Sequence, residues 1–257
     1  MTKAVILAGG LGTRIAEESS LRPKPMIEIG GRPILWHIMK NLSMGGINEF
    51  IICLGYKGYM IKEFFANYSL HMSDVTFSFI DGVTKTHRNQ LEPWSVTLID
   101  TGEDSQTGGR LRRVQEFVGE EPFIFTYGDG LSNVNLSELI TFHNEHDQMI
   151  TVTAVQPPGR YGSLEIDKHL VSAFVEKPNG DGGWINGGFF VVNPSMISEI
   201  SNDDSSWESD VLPVMVKKQQ VNAYKHEGFW MAMDTLRDKQ RLEELWETRQ
   251  SPWRTWS

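Results

Sequence analysis

The chain has 257 residues, of which 40% are hydrophobic and 22% are charged, as in an ordinary globular protein long enough for one large α/β domain. Its formal net charge of −9 argues against a nucleic-acid partner, because affinity for a polyanion comes from clustered lysine and arginine. No apolar stretch approaches the length that crosses a bilayer and the N-terminus lacks a signal-peptide pattern, so we expect a soluble protein with no membrane partner.

A glycine-rich segment follows the first predicted strand. The apolar run Ala4–Leu7 indicates a buried strand, and it leads into Leu7-Ala8-Gly9-Gly10-Leu11-Gly12-Thr13-Arg14. Glycines leave backbone N–H groups bare beside a helix start, which suits the phosphates of a nucleotide. Arg14 and Lys24 add two positive charges, and the prolines on either side of Lys24 hold it in an extended segment. The pattern predicts a triphosphate-binding loop; the alternative is a strand-to-helix turn with solvated basic residues.

Two common glycine-rich motifs do not fit this segment. The dinucleotide fingerprint G-x-G-x-x-G lacks its third glycine here, because Thr13, Arg14 and Ile15 follow Gly12. The phosphate-loop pattern of NTPases requires Gly-Lys-Ser/Thr, which does not follow either. An oxidoreductase with a dinucleotide-binding fold is therefore disfavoured, and it stays as an alternative from another enzyme class.

Helix and strand signals alternate through the first half of the chain. Pro33 marks the start of a helix that Gly45-Gly46 ends. The apolar run Phe50–Leu54 predicts a second buried strand, and its Cys53, the only cysteine, excludes an intrachain disulfide framework and fits a reducing cytoplasm. Further signals are an aromatic helical stripe from Ile61 to Tyr68, strand-like runs at Val75–Ile80 and Val96–Ile99, and between them a polar loop or excursion, Asp81–Ser95. This order predicts a mostly parallel twisted sheet with flanking helices, a Rossmann-like α/β arrangement that binds ligands at the carboxyl ends of its strands.

A second glycine-bearing loop, Asp100–Arg110, precedes a helix that we expect to begin near Leu111. Small residues in this loop let backbone groups approach a flat base, and Arg110 can reach a phosphate or an acidic partner. We expect Ser105, Gly109 and Arg110 to contact a nucleotide.

Two isolated aspartates are candidate metal ligands. Asp129 follows an aromatic strand that ends in Gly128-Asp129-Gly130, where a carboxylate can share Mg²⁺ with phosphate oxygens or simply cap a turn. Asp234 precedes a charged helix, and its spacing alone fits a helix cap equally well.

From Ile150 the pattern becomes richer in strands. Ser163–Ile166 and Val171–Val175 predict a hairpin, and Pro213 breaks or bends a helical segment at Trp207–Val216. The tail contains Trp253 and Trp256, which we expect to pack on the body or on another subunit. We predict a single domain over residues 1–257, with a nucleotide-binding half at about 1–149 and a smaller β-rich, sugar-binding half at about 150–257, because no Gly/Ser/Pro-rich linker separates the two.

The paired motif G-G-x-G-T-R and P-K-P resembles the signature of the sugar-nucleotide pyrophosphorylases, and the resemblance covers nearly the whole chain. Many thymidylyl-, uridylyl- and adenylyltransferases of that family carry Gln-Pro followed by Gly-Leu-Ala near the second loop. Here Thr107-Gly108-Gly109-Arg110-Leu111 stands instead, which resembles the branch that uses CTP. The resemblance implies a nucleotidyltransferase that makes CDP-glucose and pyrophosphate from CTP and α-D-glucose 1-phosphate. A UTP- or dTTP-dependent transferase is one alternative, and a catalytically silent sugar-nucleotide sensor is another.

The same resemblance implies roles for individual residues. Arg14 and Lys24 are the catalytic cations, and Asp129 and Asp234 hold Mg²⁺. The implied nucleotide contacts are Leu7, Ala8, Gly9, Gly10, Leu11, Gly12, Thr13, Arg14, Lys24, Ser105, Gly109, Arg110 and Asp129. The implied sugar-phosphate contacts are Tyr161, Gly162, Glu176, Lys177, Asn186 and Gly187. The family also implies a homo-oligomer, of which a hexamer is one form, a cytoplasmic location, and a product used in deoxysugar synthesis for the O-antigen of lipopolysaccharide.

Overall fold

A seven-stranded sheet organises the computed structural model, which describes residues 2–157, 163–167, 170–175 and 183–256. The strands in this part of the chain are β1 (Ala4–Leu7), β2 (Glu28–Ile29), β3 (Arg32–Pro33), β4 (Glu49–Leu54), β5 (Ser73–Ser78), β6 (Val83–Asn89), β7 (Ser95–Asp100), β8 (Phe123–Tyr127), β9 (Gly130–Ser132), β10 (Ile150–Val155), β11 (Ser163–Asp167), β12 (Leu170–Val175), β13 (Ile185–Val192), β14 (Val221–His226) and β15 (Trp230–Ala232).

Helices connect these strands. The α-helices are α1 (Ala16–Ser19), α2 (Ile34–Met44), α3 (Gly58–Ala66), α4 (Tyr68–His71), α5 (Thr107–Arg113), α6 (Gln115–Val118), α7 (Leu136–Asn144), α8 (Leu212–Lys217) and α9 (Leu236–Glu247). Short 3₁₀ helices cover Thr13–Ile15, Lys24–Met26 and Pro194–Glu199, and a π-helical turn covers Trp207–Val211. Among the described residues, no helix has the length and apolar character that a bilayer span requires.

The central sheet confirms the predicted mostly parallel arrangement. Its strand order is β14-β10-β13-β8-β1-β4-β7, and β8, β1, β4 and β7 run parallel to one another. Strand β13 runs antiparallel to both of its neighbours, β8 and β10. The amino end of β13 therefore lies at the same edge as the carboxyl end of β8. This geometry brings Asn186 and Gly187 to the edge where the glycine-rich loop leaves β1.

Strand β1 sits in the middle of the core because its residues are buried on both faces. Ala4 and Ile6 pack into one apolar cluster with α2 and α9, while Val5 and Leu7 pack into the other with α5 and Trp207. Such a strand reads as a continuous apolar run, as predicted. Each fully buried large aliphatic side chain contributes about 1.5–3 kcal/mol.

The predicted strand at Val75–Ile80 is present as β5, but it does not belong to the central sheet. Strand β5 pairs with β6 in a separate antiparallel hairpin, and β6 lies in the segment that we expected to be a loop or excursion. Strand β6 is composed mainly of polar and basic residues, so it has no apolar face that a central sheet could bury. At the hairpin tip, Phe79 and Ile80 are fully exposed.

The helix after the second loop begins at Thr107, not near Leu111 as expected. Two consecutive glycines disfavour a helix start on intrinsic propensity. Contacts with a distant segment compensate, because Gln106 N donates to Asp203 O at 2.9 Å and Gly109 N donates to Ser205 O at 3.0 Å.

The remaining local predictions hold. Helix α2 follows Pro33 and ends at Gly45, the hairpin β11–β12 forms, and Pro213 stands at the start of α8 after a π-helical turn. Cys53 is fully buried, and burial raises the pKa of its thiol to about 12. Trp253 is buried in the body of the same chain, as expected for the tail.

Candidate active site

The predicted phosphate loop lies where three neighbouring strands end. The loop leaves β1 after Leu7, and Ala8 N donates to Cys53 O of β4 at 2.9 Å. On the other side, Gly128 N donates to Leu7 O at 2.9 Å, which fixes the turn after β8 beside the loop. The structure therefore places this loop at the carboxyl edge of the sheet, where α/β proteins bind ligands.

Lys24 joins two carboxylates that are far apart in the sequence. Its Nζ lies 2.6 Å from Asp129 Oδ2 and 2.8 Å from Asp234 Oδ1. Arg14 Nη1 lies 2.9 Å from Asp234 Oδ2, so a second cation contacts one of the two carboxylates. The Lys24 side chain is only 11% exposed, whereas that of Arg14 is 75% exposed. The predicted catalytic cations and the predicted metal ligands thus form one cluster.

A small antiparallel ladder explains why the two aspartates meet. Strand β9 pairs with β15, with Gly130 opposite Ala232. One residue beyond this pair, Met233 N donates to Asp129 O at 2.9 Å. The ladder therefore places Asp129 and Asp234 on adjacent backbone segments, beside the phosphate loop.

Asp234 does not cap the helix that follows it. Thr235 is the N-cap of α9, and it forms a reciprocal capping box with Asp238. The carboxylate of Asp234 contacts Lys24 and Arg14. Its backbone N–H is also satisfied, since it donates to Asp238 Oδ2 at 3.1 Å.

The charge state of Lys24 follows from these contacts. Burial lowers the pKa of the lysine, but the Asp129 and Asp234 carboxylates outweigh burial and raise the pKa above its usual value. Lys24 is therefore an ammonium ion at neutral pH. Two carboxylates that contact a single ammonium nitrogen create a site of negative potential that favours a cation. Carboxylate oxygens are also the ligands that hard divalent cations prefer.

Arg110 lies deeper than expected and contacts protein atoms. It is 4% exposed, and its Nη1 donates to Leu54 O, Thr101 Oγ1 and Gly102 O at 3.1, 2.9 and 2.7 Å. Its Nη2 donates to Gly9 O at 3.2 Å and to Glu103 O at 3.0 Å. A Cβ on Gly9 would lie 2.2 Å from Nη1, so glycine is required for this close approach. In this structure the guanidinium braces the phosphate loop against the second loop, and its contact with a nucleotide stays a prediction.

The predicted sugar-phosphate contacts are described in part. Tyr161, Gly162, Glu176 and Lys177 lie outside the described residues. Asn186 and Gly187 lie at the carboxyl edge of the sheet, where Gly187 O accepts from Trp230 Nε1 at 2.6 Å.

Three polar side chains at this edge were not among the predicted site residues. Tyr127 is the last residue of β8, Glu208 lies on the π-helical turn, and Thr107 begins α5. Tyr127 and Thr107 both donate to Glu208. Residues about a hundred positions apart contact one another only in the fold, so no local pattern could have identified them.

Comparisons with known proteins agree with this geometry. Residues 3–243 match the nucleotidyl transferase family. The chain is 57% identical over 255 residues to the glucose-1-phosphate cytidylyltransferase of Salmonella typhi, covering 99% of each chain. It is 40% identical over 255 residues to a probable glucose-1-phosphate cytidylyltransferase of Bacillus subtilis, covering 99% of this chain and 100% of that one.

A solved structure shows the same architecture. HddC from Yersinia pseudotuberculosis, in complex with GMP-PN, aligns with a TM-score of 0.69 at 27% identity, over 96% of this chain and 100% of that chain. The family match covers the strand-loop segment of Arg14, the ladder of Asp129 and the start of α9 beside Asp234. This chain therefore belongs to the nucleotidyl transferase family.

Proposed function

We propose that this protein transfers the cytidylyl group of CTP to α-D-glucose 1-phosphate and releases pyrophosphate and CDP-glucose. The observation that carries the choice of substrates is its 57% identity, over 99% of both chains, to a glucose-1-phosphate cytidylyltransferase. The cluster of Lys24, Arg14, Asp129 and Asp234 at the mouth of the phosphate loop supports the reaction type.

The reaction requires positioning and charge stabilisation rather than proton transfer. The nucleophile is a phosphate oxygen of glucose 1-phosphate, which is already ionised at neutral pH, so no general base is needed. As this oxygen forms a bond to the α-phosphorus of CTP, the bond from that phosphorus to the bridging oxygen breaks and pyrophosphate leaves. The barrier comes from bringing two anions together and from charge that develops on the leaving group.

The two cations of the cluster have different tasks in this proposal. Lys24 is mostly buried and held by two carboxylates, so it neutralises charge near the α-phosphate as the attacking anion approaches. Arg14 is exposed on the phosphate loop. Its guanidinium binds the β- and γ-phosphates and stabilises the negative charge of the departing pyrophosphate. Lys177 is assigned to the incoming sugar phosphate.

Asp129 and Asp234 would hold Mg²⁺. Their carboxylates already converge on one cationic nitrogen, and their oxygen donors suit a hard divalent ion. When bound, the ion supplies Lewis-acid polarisation of the phosphate oxygens.

We also propose a cytoplasmic homo-oligomer whose product enters deoxysugar synthesis for the O-antigen of lipopolysaccharide. The exposed apolar tip of the β5–β6 hairpin, with Phe77, Phe79 and Ile80, supports a protein contact at that position. A single reduced, buried cysteine is compatible with the cytoplasm.

The test is pyrophosphate release by the purified protein with glucose 1-phosphate and Mg²⁺, with CTP, UTP, dTTP and ATP offered separately. We expect a strong preference for CTP. Release with UTP or dTTP instead would overturn the choice of base while leaving the reaction type intact. If no nucleotide supports release by folded protein that binds CTP, the protein is a silent sensor and the proposed activity is wrong.

A further inference from the structure

A polar network lies beside the Lys24 cluster and includes residues that neither the sequence motifs nor the proposed mechanism uses. Its centre is the carboxylate of Glu208, on the π-helical turn Trp207–Val211. Glu208 Oε1 accepts a hydrogen bond from the Tyr127 hydroxyl. Glu208 Oε2 accepts from Thr107 Oγ1 at 2.6 Å and from Ser206 Oγ at 3.1 Å. Both carboxylate oxygens are therefore engaged by side chains from different elements.

One side of this network leads to the predicted sugar-binding half. The Asn186 side chain lies close to the Tyr127 hydroxyl. Asn186 Oδ1 accepts from Gly188 N at 2.8 Å, so the amide nitrogen is the group that can donate to Tyr127. The Tyr127 hydroxyl carries one proton, and it donates that proton to Glu208 Oε1. Glu208 thus orients Tyr127, and Tyr127 orients Asn186.

Packing against the backbone restricts the position of the Tyr127 ring. It lies against Gly188, where a Cβ would approach Tyr127 Cδ2 to 2.6 Å. Gly188 also has a φ of +76°, which disfavours any other residue at that position. The ring is therefore held by backbone contact, and its hydroxyl is held by Glu208.

The other side of the network leads to the predicted nucleotide-binding loop. Thr107 is the first residue of α5, and its Oγ1 also accepts from Trp207 N at 2.8 Å. The same helix carries Arg110, whose guanidinium contacts Gly9 of the phosphate loop. A shift of Thr107 away from Glu208 would therefore be transmitted along α5 to the loop.

We propose that Glu208 is a positioning residue that holds the sugar-binding and nucleotide-binding parts of the site in register, through Tyr127 on one side and Thr107 on the other. This inference rests on the proposed function, because it assigns Asn186 to the sugar phosphate and α5 to CTP. Glu208 touches neither reacting atom. It acts through two hydroxyl groups whose removal should affect different substrates.

The test separates the two arms of the network. Thr107→Val removes the hydroxyl that donates to Glu208 and accepts from Trp207 N, and it should raise the Kd for CTP by about threefold to tenfold, with the KM for glucose 1-phosphate within about twofold of wild type. Tyr127→Phe keeps the ring packed on Gly188. It should raise the KM for glucose 1-phosphate by about threefold to tenfold and leave the Kd for CTP within about twofold of wild type. Glu208→Ala should shift both constants, and Glu208→Gln, which keeps one acceptor oxygen, should fall between Glu208→Ala and wild type.

The matched control is Glu199→Ala, because Glu199 is also a half-exposed glutamate held by a side chain, Lys218 Nζ at 2.5 Å. It should change neither constant. A Glu208→Ala protein that melts at a lower temperature but keeps both constants would overturn the inference and leave Glu208 a stabilising residue only. A shift in one constant alone would also overturn it.

Two further outcomes are decided by other variants. If Glu208→Ala does not fold, a shift of both constants in Glu208→Gln supports the inference, and unchanged constants overturn it. Failure of the proposed function is visible separately, since the wild-type protein would then release no pyrophosphate from CTP. In that case the CTP Kd and calorimetric binding of glucose 1-phosphate replace KM, and the same pattern of shifts decides the role of Glu208.

Discussion

At the scale of single residues, Lys24 lies between the two carboxylates that we propose as ligands of Mg²⁺. Its ammonium nitrogen contacts both Asp129 and Asp234 at hydrogen-bonding distance. Without a cation between them, two carboxylates this close repel one another. Lys24 therefore stabilises the protein without bound metal. If Mg²⁺ binds to Asp129 and Asp234 as proposed, the ion competes with Lys24 for their carboxylate oxygens.

Replacing Lys24 should separate its proposed catalytic role from its structural role. We expect Lys24→Met to reduce kcat by roughly 10²–10³-fold, because one electrostatic group is lost from the transition state. The same variant should bind Mg²⁺ more tightly in the absence of nucleotide, since the competing ammonium is gone. Calorimetric titration with Mg²⁺ measures this, with the exposed Lys217→Met as control. Unchanged kcat would remove Lys24 from the mechanism, and unchanged Mg²⁺ affinity would mean that the ion binds elsewhere.

Arg110 is a buried cation whose partners are mostly backbone carbonyls. Removing the guanidinium takes one donor from the oxygens of Leu54, Gly9 and Gly102, although Leu54 O still accepts from Thr101 N and Gly9 O still accepts from Tyr56 N. We expect Arg110→Met to lower the free energy of unfolding by roughly 2–5 kcal/mol, measured by urea denaturation. Arg110→Lys should recover part of this loss, because an ammonium has fewer donors and cannot reach all of the acceptors.

The control for Arg110 is its neighbour Arg112, which is half-exposed and lies 3.6 Å from Asp203. Arg112→Met should change stability by less than about 1 kcal/mol, as for an exposed ion pair. Equal losses of unfolding free energy in the Arg110 and Arg112 variants would show that burial of the Arg110 guanidinium does not determine its contribution to stability.

At the scale of elements, the C-terminal tail packs onto α2 through a fully buried histidine. His37 Nε2 lies 2.8 Å from Ile29 O, so this nitrogen carries the proton and donates it. His37 Nδ1 faces Trp253 Nε1 at 3.5 Å, and the ring of Trp246 packs edge-on at 4.8 Å. Burial lowers the pKa of His37 to about 4, and the nearby Arg32 and Arg254 act in the same direction.

This packing predicts a specific pH dependence of stability. Because the folded pKa of about 4 lies below the unfolded value of 6.5, the unfolded chain binds the extra proton between these values. The contribution of neutral His37 is complete above pH 6.5 and is lost as the pH falls towards 4, by roughly 3 kcal/mol in total. His37→Gln, which keeps a donor for Ile29 O, should flatten the pH dependence of Tm in this window. His87→Gln, at an exposed position, should keep the wild-type slope. Identical slopes in all three proteins would contradict the assignment.

The elements also show what the sequence can predict. Continuous apolar runs identified β1 and β4 because burial on both faces leaves a local signature. The start of α5 could not be predicted, since contacts with residues 203–205 outweigh the propensity of its glycines. The motif residues Arg14, Lys24, Asp129 and Asp234 were identified and lie together, whereas Glu208 was not, because its partners are distant in sequence and follow no motif.

At the scale of the whole molecule, the two predicted halves are interlocked. Strand β13 from the second half pairs directly with β8 from the first. One apolar cluster contains Ile6 of β1 together with Leu242 of α9 and Trp253 of the tail. Neither half can separate without breaking the central sheet and exposing this cluster. The candidate site lies across the same junction, so we expect substrate binding and global stability to be coupled.

We therefore predict that the protein unfolds in one cooperative transition, with a calorimetric enthalpy equal to the van't Hoff enthalpy. CTP with Mg²⁺ at about 100 times its Kd should add about 2.7 kcal/mol of stability, because it binds the native state only. For a chain of this size that corresponds to an increase in Tm of roughly 5–10 °C. Scanning calorimetry with and without CTP measures both quantities, and Mg²⁺ alone is the control. Two resolved transitions, only one of which CTP shifts, would show instead that the halves are separate domains and that β13 does not bind them into one unit.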